Sequence, residues 1–180
     1  MMKIRAMLSA VLCTVACLAS VPAACAGDSP SEVSLAFVKA LQRFDFDKLV
    51  KLCDGQMARE FRRSANELET VKAAAAKGDD KAKQALVEIE KMRKILETVT
   101  VSCGAQKVED DFAAVKIISK REGHPQDEET FYLRKVDGRW KIVSKDDYTA
   151  AKKAAGAKVA AKMEAAREKA AAKPAEPAKK

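Results

Sequence analysis

Two spacings of apolar positions divide the chain. Between residues 29 and 97 they recur every three or four positions, and from residue 98 they alternate. Ser29-Pro30-Ser31-Glu32 opens the helical part: Ser29 can cap, Pro30 suits the first helical position, and Glu32 completes a capping box. Val33, Phe37, Ala40 and Leu41 then lie on one face. Asp45 can cap a second, short helix, with Phe44 and Leu49 spaced as a hydrophobic staple. Leu49, Val50 and Cys53 share its inner face, and Gly55 is expected to end it. A long helical hairpin follows. Met57, Phe61, Ala65, Leu68 and Val71 form its first stripe, Lys77-Gly78-Asp79-Asp80 the break, and Leu86, Ile89, Met92 and Leu96 the second stripe.

Strand periodicity begins at Thr98. Val99, Val101, Cys103 and Ala105 alternate with polar or small residues, and Glu109-Asp110-Asp111 is a turn. Phe112–Lys120 is a second strand, Gly123-His124-Pro125-Gln126 a loop, and Thr130–Val136 a third strand with Phe131 and Leu133 inward. Asp137-Gly138 is a strong hairpin turn, after which Trp140 and Ile142 alternate with Lys141 and Val143. Helices followed by a four-stranded antiparallel meander make an α+β domain over residues 28–147.

The first 26 residues stand outside this pattern. Lys3 and Arg5 precede a run from Ala6 to Val21 without charge, Pro22 breaks it, and Ala24-Cys25-Ala26 supplies small residues. That order reads as a secretory signal cleaved after Ala26, which places the chain in a periplasm or outside the cell. The alternative is lipid anchoring at Cys25. Composition changes meaning once it is divided. The net charge of +8 resolves into +2 for residues 1–26, zero for residues 27–147 and +6 for residues 148–180. The domain itself is neutral.

Residues 148–180 contain 14 Ala, and their cations Lys152, Lys153, Lys158, Lys162, Arg167, Lys169 and Lys173 are spread around a helical wheel. Only Val159 and Met163 are larger apolar residues there, so a solvated, partly helical segment is expected, fraying toward Pro174. It reads either as a bare extension or as a cationic arm touching anionic envelope polymers or lipid head groups. Export and the lack of interleaved aromatics argue against nucleic acid.

Residues Pro30-Ser31-Glu32-Val33 through Leu41, then Phe44-Asp45-Phe46-Asp47-Lys48-Leu49, and the closing Glu129–Ile142 run with Asp137-Gly138-Arg139-Trp140-Lys141-Ile142, resemble the nuclear transport factor 2-like (cone-shaped, SnoaL-like) superfamily. Within it the chain looks most like the bacterial exported family called domain of unknown function 4878. The resemblance spans about residues 29–146. It implies a curved sheet with helices packed into its concave side, often around a pocket, and no agreed function. The helical stretch 57–97 is long for that superfamily and is expected to plug such a pocket.

Little catalytic chemistry is legible. The sole His124 sits in a loop, and no acid falls on an apolar face of the expected strands. The pairs Asp45/Asp47, Asp79/Asp80, Asp110/Asp111, Glu128/Glu129 and Asp146/Asp147 occupy caps, turns or strand edges. No metal-ligand, nucleophile-elbow or phosphate-loop motif is present, and no cofactor is assigned. Phe37, Leu41, Phe61, Phe131, Leu133 and Trp140 are the expected pocket or core lining. Cys53 and Cys103, both on inner faces, either form a disulfide, which in an oxidising compartment would stabilise by up to about 4 kcal/mol, or are two small core residues. The reading that results is an exported, non-enzymatic module that binds another protein or a small apolar ligand. The alternative is a cone-fold enzyme acting on a small hydrophobic substrate.

Overall fold

The structure, a computed structural model, describes residues 29–171, with side chains as far as residue 167. The expected signal segment, its cleavage site, Cys25 and Lys173 lie outside the described residues. Four helices come first: α1 (Pro30–Gln42), α2 (Phe46–Leu52), α3 (Gly55–Ala76) and α4 (Asp80–Glu97). Four strands follow, β1 (Thr100–Glu109), β2 (Phe112–Lys120), β3 (Asp127–Val136) and β4 (Arg139–Val143), and then a last helix, α5 (Lys145–Ala171).

Short-range hydrogen bonds start the helices where the sequence places them. The Glu32 N–H donates to Ser29 Oγ at 3.2 Å and the Ser29 N–H to Glu32 Oε2 at 2.9 Å, a reciprocal capping box. Asp45 Oδ1 accepts from the Lys48 N–H at 3.0 Å. Asp79 Oδ1 accepts from Lys81 and Ala82 at 2.9 and 3.1 Å. Each cap is worth about 1 kcal/mol.

Gly55 departs from expectation. Helix α2 closes at Leu52 with Cys53 as its cap, and Gly55 instead begins α3 with a φ of +62°. That backbone is strained for any residue with a Cβ. A Cβ at Gly55 would also lie 2.5 Å from Asp147 Oδ2.

The sheet is antiparallel throughout, in the order β1-β2-β3-β4. Its inner face carries Ala113, Val115 and Ile117 of β2, Leu133 of β3 and Trp140 and Ile142 of β4, against Val33, Phe37 and Ala40 of α1 and Leu49 of α2. The free side of β4 is covered where Cys53 bridges Ile142 and the Asp54 N–H donates to the Ile142 carbonyl at 2.9 Å. In β1 the register shifts between Cys103 and Gln106, so the alternation stops at Cys103 and Ala105 turns to solvent. Helices α3 and α4 pack as a hairpin with half-buried Leu68, Val71, Leu86, Ile89 and Met92. The chain is therefore an α+β fold in which α1 and α2 pack on one face of a four-stranded antiparallel sheet and the last helix is rooted on the other. No helix among the described residues is long and apolar enough to cross a membrane.

Candidate functional site

Three regions could carry chemistry or contacts: the helix–sheet interior, the cleft at its edge, and the root of α5. In the interior, Phe37 is 3% exposed. Its ring meets Phe61 edge-on at 5.7 Å and Phe131 at 5.3 Å. Leu133 is fully buried, and Trp140 is buried with the Lys135 ammonium 5.0 Å from its ring. Phe61, Phe131 and Leu41 pack against this core. The six residues expected to line a pocket or core are thus gathered in one apolar body.

The cleft lies at one edge of that body, between the ends of α1 and α4 and strands β1 to β3. Leu41, Val99, Val101, Ile117 and Phe131 form its walls, with Gln42, Asp127 and Glu129 at its polar side. Its cavity volume is about 30 Å³, room for about one water molecule. The Gln42 side-chain amide donates to the carbonyls of Leu96 (3.1 Å) and Val99 (2.6 Å), fastening the α4–β1 turn to α1.

Glu129 corrects one expectation. Strand β3 begins at Asp127, three residues earlier than its apolar run suggests, so Glu129 shares the face of Phe131 and Leu133. The residue as a whole remains open to solvent. Burial of its carboxyl beside the apolar wall, and then the nearby Asp127 charge, raise its pKa above the ordinary glutamate value. The signal was present in the period of two running 129, 131, 133. Without the register, an acidic strand start reads as an edge.

The cysteines do not meet. Cys53 and Cys103 are free thiols. Cys53 sits against the outer side of β4 and Cys103 on β1, the opposite edge of the sheet. Three strand spacings of about 4.8 Å separate those strands, whereas a disulfide needs Cα atoms within about 7 Å. Of the two alternatives the structure has the second, two separate core positions. Burial pushes the Cys53 thiol up to about 12. Cys103 is half-buried, also raised by burial, and its Sγ lies 3.5 Å from the Ser31 carbonyl. His124 is exposed in its loop. Among the described residues no group of three or more His, Cys, Asp or Glu is arranged to hold a metal ion.

The root of α5 docks on the domain through contacts that no local sequence pattern shows. The expected boundary at residue 148 falls inside a continuous helix that starts at Lys145. Tyr148 packs on the outer sheet face, its ring 5.6 Å from Phe112 and 5.0 Å from Tyr132. Asp147 Oδ2 accepts from the Gln56 N–H at 3.1 Å, which caps α3 from a distance of 91 residues in sequence. The Lys152 ammonium bonds Glu109 and lies 5.8 Å from the Tyr148 ring. Lys107 and Lys152 together hold the Glu109 carboxyl down to about 2. Beyond this clip Lys153, Lys158, Lys162 and Arg167 are exposed, and Lys169 continues the helix. Near β4, Asp54 pairs with Arg134 at 2.5 Å, and that hydrogen bond lowers the Asp54 pKa.

These features define a helix-on-sheet α+β domain with a clipped, cationic C-terminal helix. No known protein family matches the chain, and no curated protein does so either. Among solved structures it is similar to an NTF2-like protein from Campylobacter jejuni named for a proposed transpeptidase activity. That pair is 17% identical with a TM-score of 0.43, over 66% of this chain and 100% of the other. It is also similar to a SEC-C motif containing protein from Rhodopseudomonas palustris. There the identity is 17% and the TM-score 0.37, over 64% of this chain and 76% of the other.

Proposed function

We propose that the chain is an exported, non-enzymatic interaction module that binds through its surface. The observation carrying this reading is the filled interior. The Phe37, Phe61 and Phe131 rings occupy the space a substrate would need, and the cleft beside them holds about 30 Å³, far below the about 300–1,000 Å³ of ligand sites. A protein partner suits such a surface better than a small apolar ligand. Export rests on the tripartite pattern of residues 1–26, with a periplasmic or secreted destination and lipid anchoring at Cys25 as its variant. Placement in the nuclear transport factor 2-like superfamily, near domain of unknown function 4878, rests on the residues that carry that resemblance.

The test is titration of the full chain with a neutral apolar probe, N-phenylnaphthylamine, read by probe and Trp140 fluorescence. No saturable binding is expected. Stoichiometric, saturable binding that quenches Trp140 would overturn the reading. A second reading, a cone-fold enzyme acting on a small hydrophobic substrate, is favoured by one observation: Glu129, with its raised pKa, stands beside Asp127 at the cleft. A saturable probe displaced on substituting Glu129→Gln would support that reading.

A further inference from the structure

We propose that α5 beyond its clip is a binding arm for a flexible polyanion, a water-soluble polymer with closely spaced carboxylate or phosphate groups. The inference rests on the interaction-module reading and names one partner class for it. Four observations lead there.

Among the described residues the arm's charge is unbalanced. On the α3–α4 hairpin, Arg63, Lys72, Lys83, Lys91 and Arg93 pair with acids three or four residues away. From residue 153 to residue 167 the sole acid is Glu164. Among the described residues Lys153, Lys158, Lys162 and Arg167 make no ion pair, while Lys152 is held by Glu109.

Those four cations also point different ways. At 3.6 residues per turn they fall in two pairs on opposed sides of the helix, Lys158 with Lys162 and Lys153 with Arg167. A flat bilayer touches one side at a time, whereas a flexible chain can bend around all of them.

An apolar stripe for insertion is lacking. Val159 and Met163, 58% and 56% exposed, are the larger apolar side chains of the arm, and an interfacial helix needs a continuous apolar face. Aromatic side chains are absent from residues 149–180, which removes base stacking as a source of affinity.

The arm is held out ready to bind. Tyr148 between Phe112 and Tyr132, Asp147 on the Gln56 N–H, and Lys152 on Glu109 tie its first two turns to the sheet and α3. Less ordering is then left for the binding step.

The experiment uses the full chain in fluorescence anisotropy with labelled polyphosphate, labelled poly-glutamate and neutral dextran, alongside sedimentation with phosphatidylglycerol and phosphatidylcholine vesicles. Binding to polyphosphate or poly-glutamate, and none to dextran, is expected. Preference between the two polymers identifies the anionic group and supports the proposal either way. With about four contacts, affinity should fall about 50-fold between 50 and 200 mM salt. The quadruple variant K153Q/K158Q/K162Q/R167Q should bind at least about 10-fold more weakly, with an unchanged urea midpoint. Equal binding by that variant, salt-insensitive binding, or binding confined to phosphatidylglycerol vesicles would each overturn it. A chain that takes up the apolar probe yet binds polyphosphate loses only the interior-based reading. A chain that binds neither loses only the arm.

Discussion

Replacing Phe37 by Ala would remove the ring around which the interior is organised. The side chain is 3% exposed and makes edge-to-face contacts with Phe61 at 5.7 Å and Phe131 at 5.3 Å. Burial of a phenylalanine is worth about 1.5–3 kcal/mol, and each aromatic pair adds about 0.5–1.5 kcal/mol. Together these bracket the about 3–5 kcal/mol typical of Phe→Ala in a core. Because Phe37 stands on a helix pressed between a sheet and a second helix, the site has little freedom to collapse, and the upper half of that range is expected. A domain of this size has about 5–15 kcal/mol in total, so the variant should be close to unfolding. Phe37→Leu, about 1–1.5 kcal/mol, keeps the series measurable. Urea unfolding followed by Trp140, the sole tryptophan, reads both. The Ala variant, where folded, should also gain saturable binding of N-phenylnaphthylamine. A loss below about 1 kcal/mol for Phe37→Ala would show that the ring is not packed as described, and the argument from a filled interior would go with it.

Three more outcomes follow from the same geometry. Gly55→Ala should cost more than about 1 kcal/mol through its φ of +62° and its approach to Asp147, and the cost should shrink in an Asp147→Ala background; full additivity in urea unfolding would refute the contact. Glu129 has a raised folded pKa, so the folded state binds its proton more tightly and the ionised group lowers stability as pH rises from the ordinary value of 4.5 through the folded pKa. Glu129→Gln should therefore gain on the native chain above that window and lose its advantage below it; a constant difference across pH in urea midpoints would contradict this. Peptide mapping after unfolding without reductant should find Cys53 and Cys103 both alkylated, with Cys103 reacting first in the folded chain because burial holds Cys53 at about 12; a linked peptide pair would refute the separation.

Much of the fold was legible because its causes act within a few residues. Ser29 with Glu32, Asp45 and Asp79 cap through N–H groups two or three positions away, and Asp137-Gly138 turns a hairpin by its own backbone preference, with φ of 50° and 77°. The apolar spacing likewise assigned Phe37, Phe131, Leu133 and Trp140 to the interior. Gly55 and the two cysteines depend on a distant neighbour. Gly55 reads as a helix stop until Asp147 is seen beside it. For Cys53 and Cys103 only strand order, which puts them at opposite edges, decides between a disulfide and two core positions.

What the sequence determined by itself was the order of helices and strands, the neutral domain and the uncompensated charge of its last segment, since capping, side-chain period and charge are local or additive. Tertiary structure alone decided which faces meet. It set the cleft against the face that Glu129 shares with Phe131, packed the Phe37, Phe61 and Phe131 rings on one another, and seated Tyr148 on Phe112 and Tyr132. The physical reason is that burial is a property of pairs of surfaces. A residue's spacing tells which side it takes, and only the packed sheet tells what lies there.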